Sequence, residues 1–429
     1  MTTQTLSPAP DGAALYRGTR SIKRLDSSAE ATRLNADYMN RMWSEIANGA
    51  EFVFGYGPME LMNAMDLFLV LPVQYGSVLA AKQLYGHYQG VIERQGYFPS
   101  LANYETLPLG YVFDPDPARA PYGGLPKPSA VVGGFMQTPA VYELYAREMG
   151  APLFMMDDPY QQEHIAPHWW EHEFRDPEIV QFAVEELKRC VRFLESVTSK
   201  IYSETRMRDY LARADEMSRL YDQITAMAYE QPGPAPFTVT DAYSEVAIFE
   251  THFGHEWALD HVRRMHAEVS ARVRGGAHAV PGERTRLLWA GTPMWYDLGF
   301  YNEWEDSHGA IFIETMYLPR AKRLIVPDRS DAIAAAFLRR HMRYTGPSPR
   351  AAAELVIHQA RQYHIDGVIL PRRGPTRDAA ASSHHMAERL RAAGIPALMV
   401  EYAPFGVTVD EARALRVQVT DFIEKIQND

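Results

Sequence analysis

Apolar residues recur at helical spacing from Ala29 to Asn48, with Leu34, Tyr38, Met42 and Ile46 on one stripe, which predicts an amphipathic helix. A short strand follows at Glu51 to Gly55, and Gly57-Pro58 leads it into a helix that begins near Met59. Strand, glycine turn and helix return at Ala130 to Gly134 and at Val368 to Gly374. They return again at Leu287 to Ala290 with its turn Gly291-Thr292-Pro293. This is the rhythm of parallel α/β units.

The stretch from Asp176 to Glu230 has only helix-period patterning, with Val180, Phe182, Ala183, Leu187, Val191, Phe193 and Leu194 as its core stripe. Gln231-Pro232-Gly233-Pro234-Ala235-Pro236 breaks it. A second, mostly helical run, Thr240 to Arg274, then ends at Gly275-Gly276. The expected class is α/β: two parallel-sheet, Rossmann-like domains with a largely helical section between them. The boundaries read as a flexible N-terminal tail over 1–28, an α/β domain over 29–175, the helical section over 176–280 and a second α/β domain over 281–429. No internal repeat stands out in the sequence.

With 429 residues, the chain exceeds the size at which one core stops growing, and 46% hydrophobic residues supply enough core for more than one. A formal net charge of -11 argues against nucleic acid as a main partner, because a phosphate backbone calls for a basic face. Residues 1–10 are polar and lack the apolar core of a signal peptide. The longest apolar stretch, Met59 to Gln74, is interrupted by Glu60, Asn63, Asp66 and Pro72, so no membrane span is expected. The single cysteine, Cys190, rules out an internal disulfide framework and fits a reducing cytoplasm, the expected location.

Three stretches carry a family resemblance. Gly96-Tyr97-Phe98-Pro99-Ser100-Leu101-Ala102-Asn103-Tyr104 is the first. Pro126 to Phe135, with Gly150-Ala151-Pro152-Leu153-Phe154-Met155-Met156-Asp157-Asp158-Pro159-Tyr160 behind it, is the second. Tyr363-His364-Ile365-Asp366-Gly367-Val368-Ile369-Leu370-Pro371 is the third, and Gly394 to Glu401 closes the set. In order and spacing these resemble the benzoyl-CoA reductase and 2-hydroxyacyl-CoA dehydratase family over roughly residues 30 to 425. Subunits of that family hold an iron-sulfur cluster on three cysteines. The resemblance places those ligand positions at Ala102, Phe135 and Thr376, where no thiolate is available.

Several constellations are candidates for chemistry. The aromatic patch after the strand at 287–290 includes Trp295, Tyr296, Tyr301 and Trp304, for which the resemblance implies acyl-group contact and ordinary helix packing is the alternative. Arg372, Arg373 and Arg377 around Gly374 suit CoA phosphates, an acidic partner or plain solvent. His164, His168 and His172, with Glu163, Glu171 and Glu173, have metal-ligand spacing, although Pro167 interrupts their helix. His252 and His255 can act as an acid or base near neutral pH or serve as structural hydrogen-bonding groups, and Glu303 joins them as a candidate base.

The resemblance implies a subunit of a heteromeric enzyme acting on acyl-CoA thioesters, as a dehydratase or a reductase. Its partner would be a related cysteine-bearing subunit that carries the four-iron four-sulfur cluster, served by an ATP-hydrolysing activator. This chain would bind no cluster itself, and a flavin in its place stays open. Two other readings stand beside it: a self-sufficient CoA-thioester enzyme using acid-base chemistry, and a non-catalytic CoA-thioester-binding scaffold.

Overall fold

The protein is described from a computed structural model over residues 15–97, 104–134, 139–157, 177–315, 331–334, 349–373, 377–402 and 406–429. The first half runs α1 (Asp26–Ala47), β1 (Phe52–Gly55), α2 (Met59–Ala64), β2 (Phe68–Val70), α3 (Pro72–Ala81), α4 (Tyr85–Arg94), α5 (Leu109–Phe113), β3 (Ala130–Gly133), α6 (Pro139–Met149) and β4 (Leu153–Met155). Five helices follow: α7 (Pro177–Val197), α8 (Glu204–Tyr229), α9 (Val239–Ser244), α10 (Val246–Glu250) and α11 (Glu256–Arg274). The second half runs β5 (Thr285–Trp289), α12 (Glu305–His308), β6 (Ala310–Thr315), α13 (Pro349–Gln362), β7 (Gly367–Arg373), α14 (Arg377–Ala392), β8 (Ala397–Tyr402) and α15 (Val409–Asn428).

Among the described residues two four-stranded sheets result, both parallel throughout, in the orders β2-β1-β3-β4 and β6-β5-β7-β8. The orders are the same walk. In each half the first strand sits inside, the second pairs on one side of it, the third on the other, and the fourth beyond the third. The repeat that is silent in the sequence is therefore present in the topology.

The second sheet shows why its strands form where they do. Leu287 and Trp289 of β5, Ala310 and Phe312 of β6, Ile369 of β7 and Val400 and Tyr402 of β8 pack into one core with α15. The intervening Leu288, Ile311, Ile313, Val368, Leu370 and Ala397 pack into another with α8, α11, α13 and α14. Successive strand residues face opposite sides, so a parallel sheet covered on both faces needs continuous apolar runs.

The helical section belongs to both halves. Ala183, Val184, Leu187, Cys190 and Leu194 of α7, with Met207, Tyr210 and Leu211 of α8, join the first sheet's core. Ala214, Met217, Tyr221 and Ile224, further along α8, join the second sheet's core. α1 bridges in the same way, with Ala31 in the second core and Tyr38, Met39 and Met42 in the first.

Within the stretch read as a flexible tail, residues 15–25 instead form a strap across the second half. The Tyr16 N–H donates to the Val407 carbonyl at 2.8 Å, the Thr19 N–H to Asp297 Oδ1 at 2.7 Å and the Ile22 N–H to Asn302 Oδ1 at 2.9 Å. Arg24 then pairs with Glu305 at 2.6 Å. These are backbone and charged contacts, which leave no apolar periodicity to read from sequence. Among the described residues no helix is long and apolar enough to cross a membrane.

Candidate active site at the meeting of the two sheets

In parallel sheets, ligands bind beyond the carboxyl ends of the strands. In the first sheet this rim is covered by the turn at residues 104–108. The Tyr104 carbonyl lies against Gly76 in α3, just past β2, so closely that a Cβ at position 76 would come within 1.7 Å of it. Only glycine permits that approach. Tyr145 of α6 meets Phe54 of β1 edge-on, with ring centres 4.9 Å apart, and its hydroxyl donates to the Glu105 carbonyl at 2.7 Å. Tyr142, one turn earlier, packs on Gly133, the last residue of β3.

The second sheet's rim meets this turn directly. The Tyr104 hydroxyl donates at 3.1 Å to the Pro293 carbonyl, in the loop after β5. The Trp295 N–H donates to the same carbonyl at 3.1 Å. That loop is itself held by its sheet, since the Thr292 carbonyl accepts from the Trp289 indole at 3.0 Å and from the Tyr402 hydroxyl at 2.9 Å. The carboxyl ends of the two sheets therefore face one another across the Tyr104–Pro293 hydrogen bond.

The aromatic patch divides at this point. Trp295 packs against the cores of both halves, and its indole Nε1 is buried without a hydrogen-bond partner among the described residues. Tyr296, Tyr301 and Trp304 are buried in the second half's core. The Tyr301 hydroxyl accepts from the Met294 N–H at 3.2 Å, and the Trp304 indole donates to Thr420 Oγ1 at 2.8 Å. Arg372, near the carboxyl end of β7, pairs with Glu401 of β8 at 2.6 Å. Arg373 ends β7 and Arg377 begins α14. Ala102, Phe135, Thr376 and the cluster of His164, His168 and His172 lie outside the described residues.

The proposed bases are placed elsewhere. Helix does not run unbroken from 240 to 274: α10 ends at Glu250, Gly254 adopts φ +93°, and α11 begins at Glu256, so His252 and His255 sit in the break. The His252 ring is fully buried 4.3 Å from the Tyr38 ring, which stacks on Phe68 at the start of β2. Burial, then His255 and Arg41, push its pKa well below the usual range. His255 Nδ1 lies 2.6 Å from the Tyr210 hydroxyl, and burial brings its pKa down to about 4. Glu303 is held by Arg416 at 2.6 Å, and the same guanidinium reaches Asp297 at 2.7 Å. The His252–His255 pair borders β2 and α8, and Glu303 borders α15. Neither joins the Tyr104–Pro293 contact.

The group that the sequence did not single out is Glu105. It is 8% exposed, next to Tyr104, and burial raises its carboxyl to about 7. A carboxyl that gains or loses its proton near neutrality is suited to acid-base work. One acidic residue in a mixed stretch carries no sequence signal of burial.

A comparison with curated proteins finds no match. A family model described as 2-hydroxyglutaryl-CoA dehydratase, D-component, matches residues 55–426, from the last residue of β1 to the last turns of α15. That span takes in the meeting of both sheets and most of the 429-residue chain, so the protein belongs to the 2-hydroxyglutaryl-CoA dehydratase D-component family.

Proposed function

We propose that this chain is a cluster-free subunit of a heteromeric enzyme of the 2-hydroxyacyl-CoA dehydratase type, paired with a cysteine-bearing relative, and that it shapes the acyl-thioester site at the meeting of its sheets. The observation that carries this reading is the donor set. A sulfur-ligated cluster needs several thiolates, and the chain has one cysteine. Cys190 is fully buried on α7 within the first core, and burial, reinforced by Glu186, pushes its thiol far above the usual range. The residues present do not fit a cluster of the family type, so no electron-transfer step is assigned to this chain.

Anaerobic purification from the native host, with native mass spectrometry and iron and acid-labile sulfide analysis, tests the reading. A stoichiometric complex with a cysteine-rich relative and about four irons per pair supports it. An iron-free homo-oligomer that turns over acyl-CoA alone overturns it. A simpler check addresses Cys190: a thiol reagent should label no cysteine in the folded chain within minutes and one per chain in denaturant, because a buried neutral thiol is unreactive. Rapid labelling of the native protein would contradict its place in the core.

A further inference from the structure

From Gly18 to Arg24, the strap over residues 15–25 gathers its contacts chiefly on the loop between β5 and α12. Gly18 lies so close to that loop that a Cβ there would come within 1.9 Å of the Tyr296 carbonyl oxygen, and a Cβ on Gly299 would come within 2.2 Å of Thr19 Oγ1. The Thr19 N–H and hydroxyl both donate to Asp297 Oδ1, at 2.7 and 3.0 Å, and the Gly299 N–H donates to the Thr19 carbonyl at 3.0 Å. Ile22 and Arg24 continue the seam at Asn302 and Glu305. None of residues 16–24 is buried, so the seam adds little to either core. What it fixes is the segment from Tyr296 to Glu305.

The same loop carries Pro293, whose carbonyl accepts from Tyr104 of the first half, and Trp295, which packs against the cores of both halves. Asp297 links the seam to these two residues. It is 1% exposed, its N–H donates to the Met294 carbonyl at 2.9 Å, and its carboxylate is shared between Thr19 and Arg416. Lifting the strap leaves that buried carboxylate with Arg416 alone. A buried acceptor stripped of donors costs free energy unless its segment shifts toward water, and Met294 and Trp295 are tied to that segment.

We infer that the strap is a positioning element for the acyl-thioester site: it holds the loop after β5 so that Pro293 and Trp295 stand against the first half, and strap docking and ligand binding favour each other. The inference rests on the CoA-thioester reading above and extends it to residues that lie ahead of the span 55–426 matched by the family model. Coupling of this kind is reciprocal, so a strap that strengthens binding is itself held more firmly by the ligand.

The test uses the full chain, as purified together with any partner, with butyryl-CoA as the probe. Gly18→Ala forces the strap away from the Tyr296 carbonyl. Thr19→Val removes the hydroxyl bond to Asp297 at nearly constant shape and serves where Gly18→Ala does not fold, while Thr19→Ser restores the hydroxyl. Hydrogen exchange read by mass spectrometry should show residues 296–305 opening about tenfold faster in Gly18→Ala, with β5 unchanged. Calorimetry should show its butyryl-CoA binding weakened about tenfold. Thr19→Val should move both in the same direction by less, and Thr19→Ser should recover them. Lys23→Ala should change neither, because the Lys23 ammonium bonds Thr32 rather than the loop. In the wild type, saturating butyryl-CoA should slow exchange of the Thr19 and Ile22 amides, a response that a merely structural strap does not give. Unchanged loop exchange in Gly18→Ala, unchanged butyryl-CoA binding in a variant whose loop opens faster, or strap amides indifferent to the ligand overturns the inference and leaves the thioester reading standing. A wild type that binds no butyryl-CoA overturns both.

Discussion

Replacing Arg286 by methionine should destabilise the protein by about 3–5 kcal/mol, the cost of breaking a buried ion pair from one side. Arg286 lies on β5, 4% exposed, and its Nε pairs with Glu283 at 2.6 Å. Its Nη1 donates at 3.0 Å to the Tyr229 carbonyl at the end of α8 and at 3.0 Å to the Tyr363 carbonyl after α13, and its Nη2 donates to the Gly233 carbonyl in the linker. Its own N–H donates to Asp366 at 2.7 Å, beside β7. One side chain thus ties a sheet strand, the proline-rich linker and the ends of two helices. Methionine fills much of the volume but leaves the Glu283 carboxylate buried without its cation and three carbonyls short of a donor. Set against a total stability of about 5–15 kcal/mol, the loss is a large fraction. Urea unfolding of Arg286→Met, Glu283→Gln and the double variant checks it through the coupling energy. A single-variant loss below about 1 kcal/mol would show that the network is dispensable.

Four strands were legible because each is a short apolar run closed by glycine or proline: β1 before Gly57-Pro58, β3 at its two glycines, β5 before Gly291-Thr292-Pro293, and β7. β2 was not separable, because Phe68 to Val70 lies within the apolar stretch from Met59 to Gln74, where no period distinguishes a buried strand from a helix. Asp66, at φ +61°, makes the break there with a residue that gives weak warning. The boundary at the helical section also blurred, for a different reason. α8 is one continuous helix whose opposite ends serve different cores, and periodicity reports the face of a helix but not the domain it packs on.

The site divided between what composition can carry and what only tertiary placement decides. Trp295, Tyr301 and Trp304 belong to one aromatic patch in the sequence, yet one stands at the meeting of the halves and two pack around Phe300, Phe312 and Trp289. The histidines read in sequence as lying on one helix after the linker, whereas α10 ends at Glu250 and α11 begins at Glu256, with Gly254 at φ +93° between them. Glu303 and Arg416 are more than a hundred residues apart, so their pairing has no local signature. Glu105 is the converse case. Its raised carboxyl comes from burial, which tertiary packing decides and a lone acidic residue does not announce in sequence.

Acidification should unfold the protein earlier than its carboxylates alone dictate, because His255 and His252 are buried in their neutral forms. His255 is held at about 4 by burial first and by Arg213 and Arg41 after it, with Asp66 opposing, whereas an unfolded histidine titrates near 6.5. Between those values the unfolded chain holds a proton that the folded chain refuses. Stability from this group is therefore complete above pH of about 6.5 and falls as the pH drops toward 4. By pH of about 4.5 the loss from His255 amounts to roughly 2–3 kcal/mol, and His252, lowered further, adds to it. His261 works in the other direction. Burial opposes its charge, but Glu245 at 2.8 Å and Glu30 at 3.1 Å raise its pKa overall, so it stabilises the fold as it becomes protonated. A comparison that holds His261 constant separates the two effects. In His255→Gln the amide can still meet the Tyr210 hydroxyl but does not titrate. Urea unfolding from pH 7.5 to 4.5 should show the wild type losing about 2–3 kcal/mol more than this variant across the range. Parallel curves would mean that His255 is protonated in the folded chain, and that the space beside Tyr38, Tyr210 and Trp257 admits a charge that its burial and its neighbouring arginines argue against.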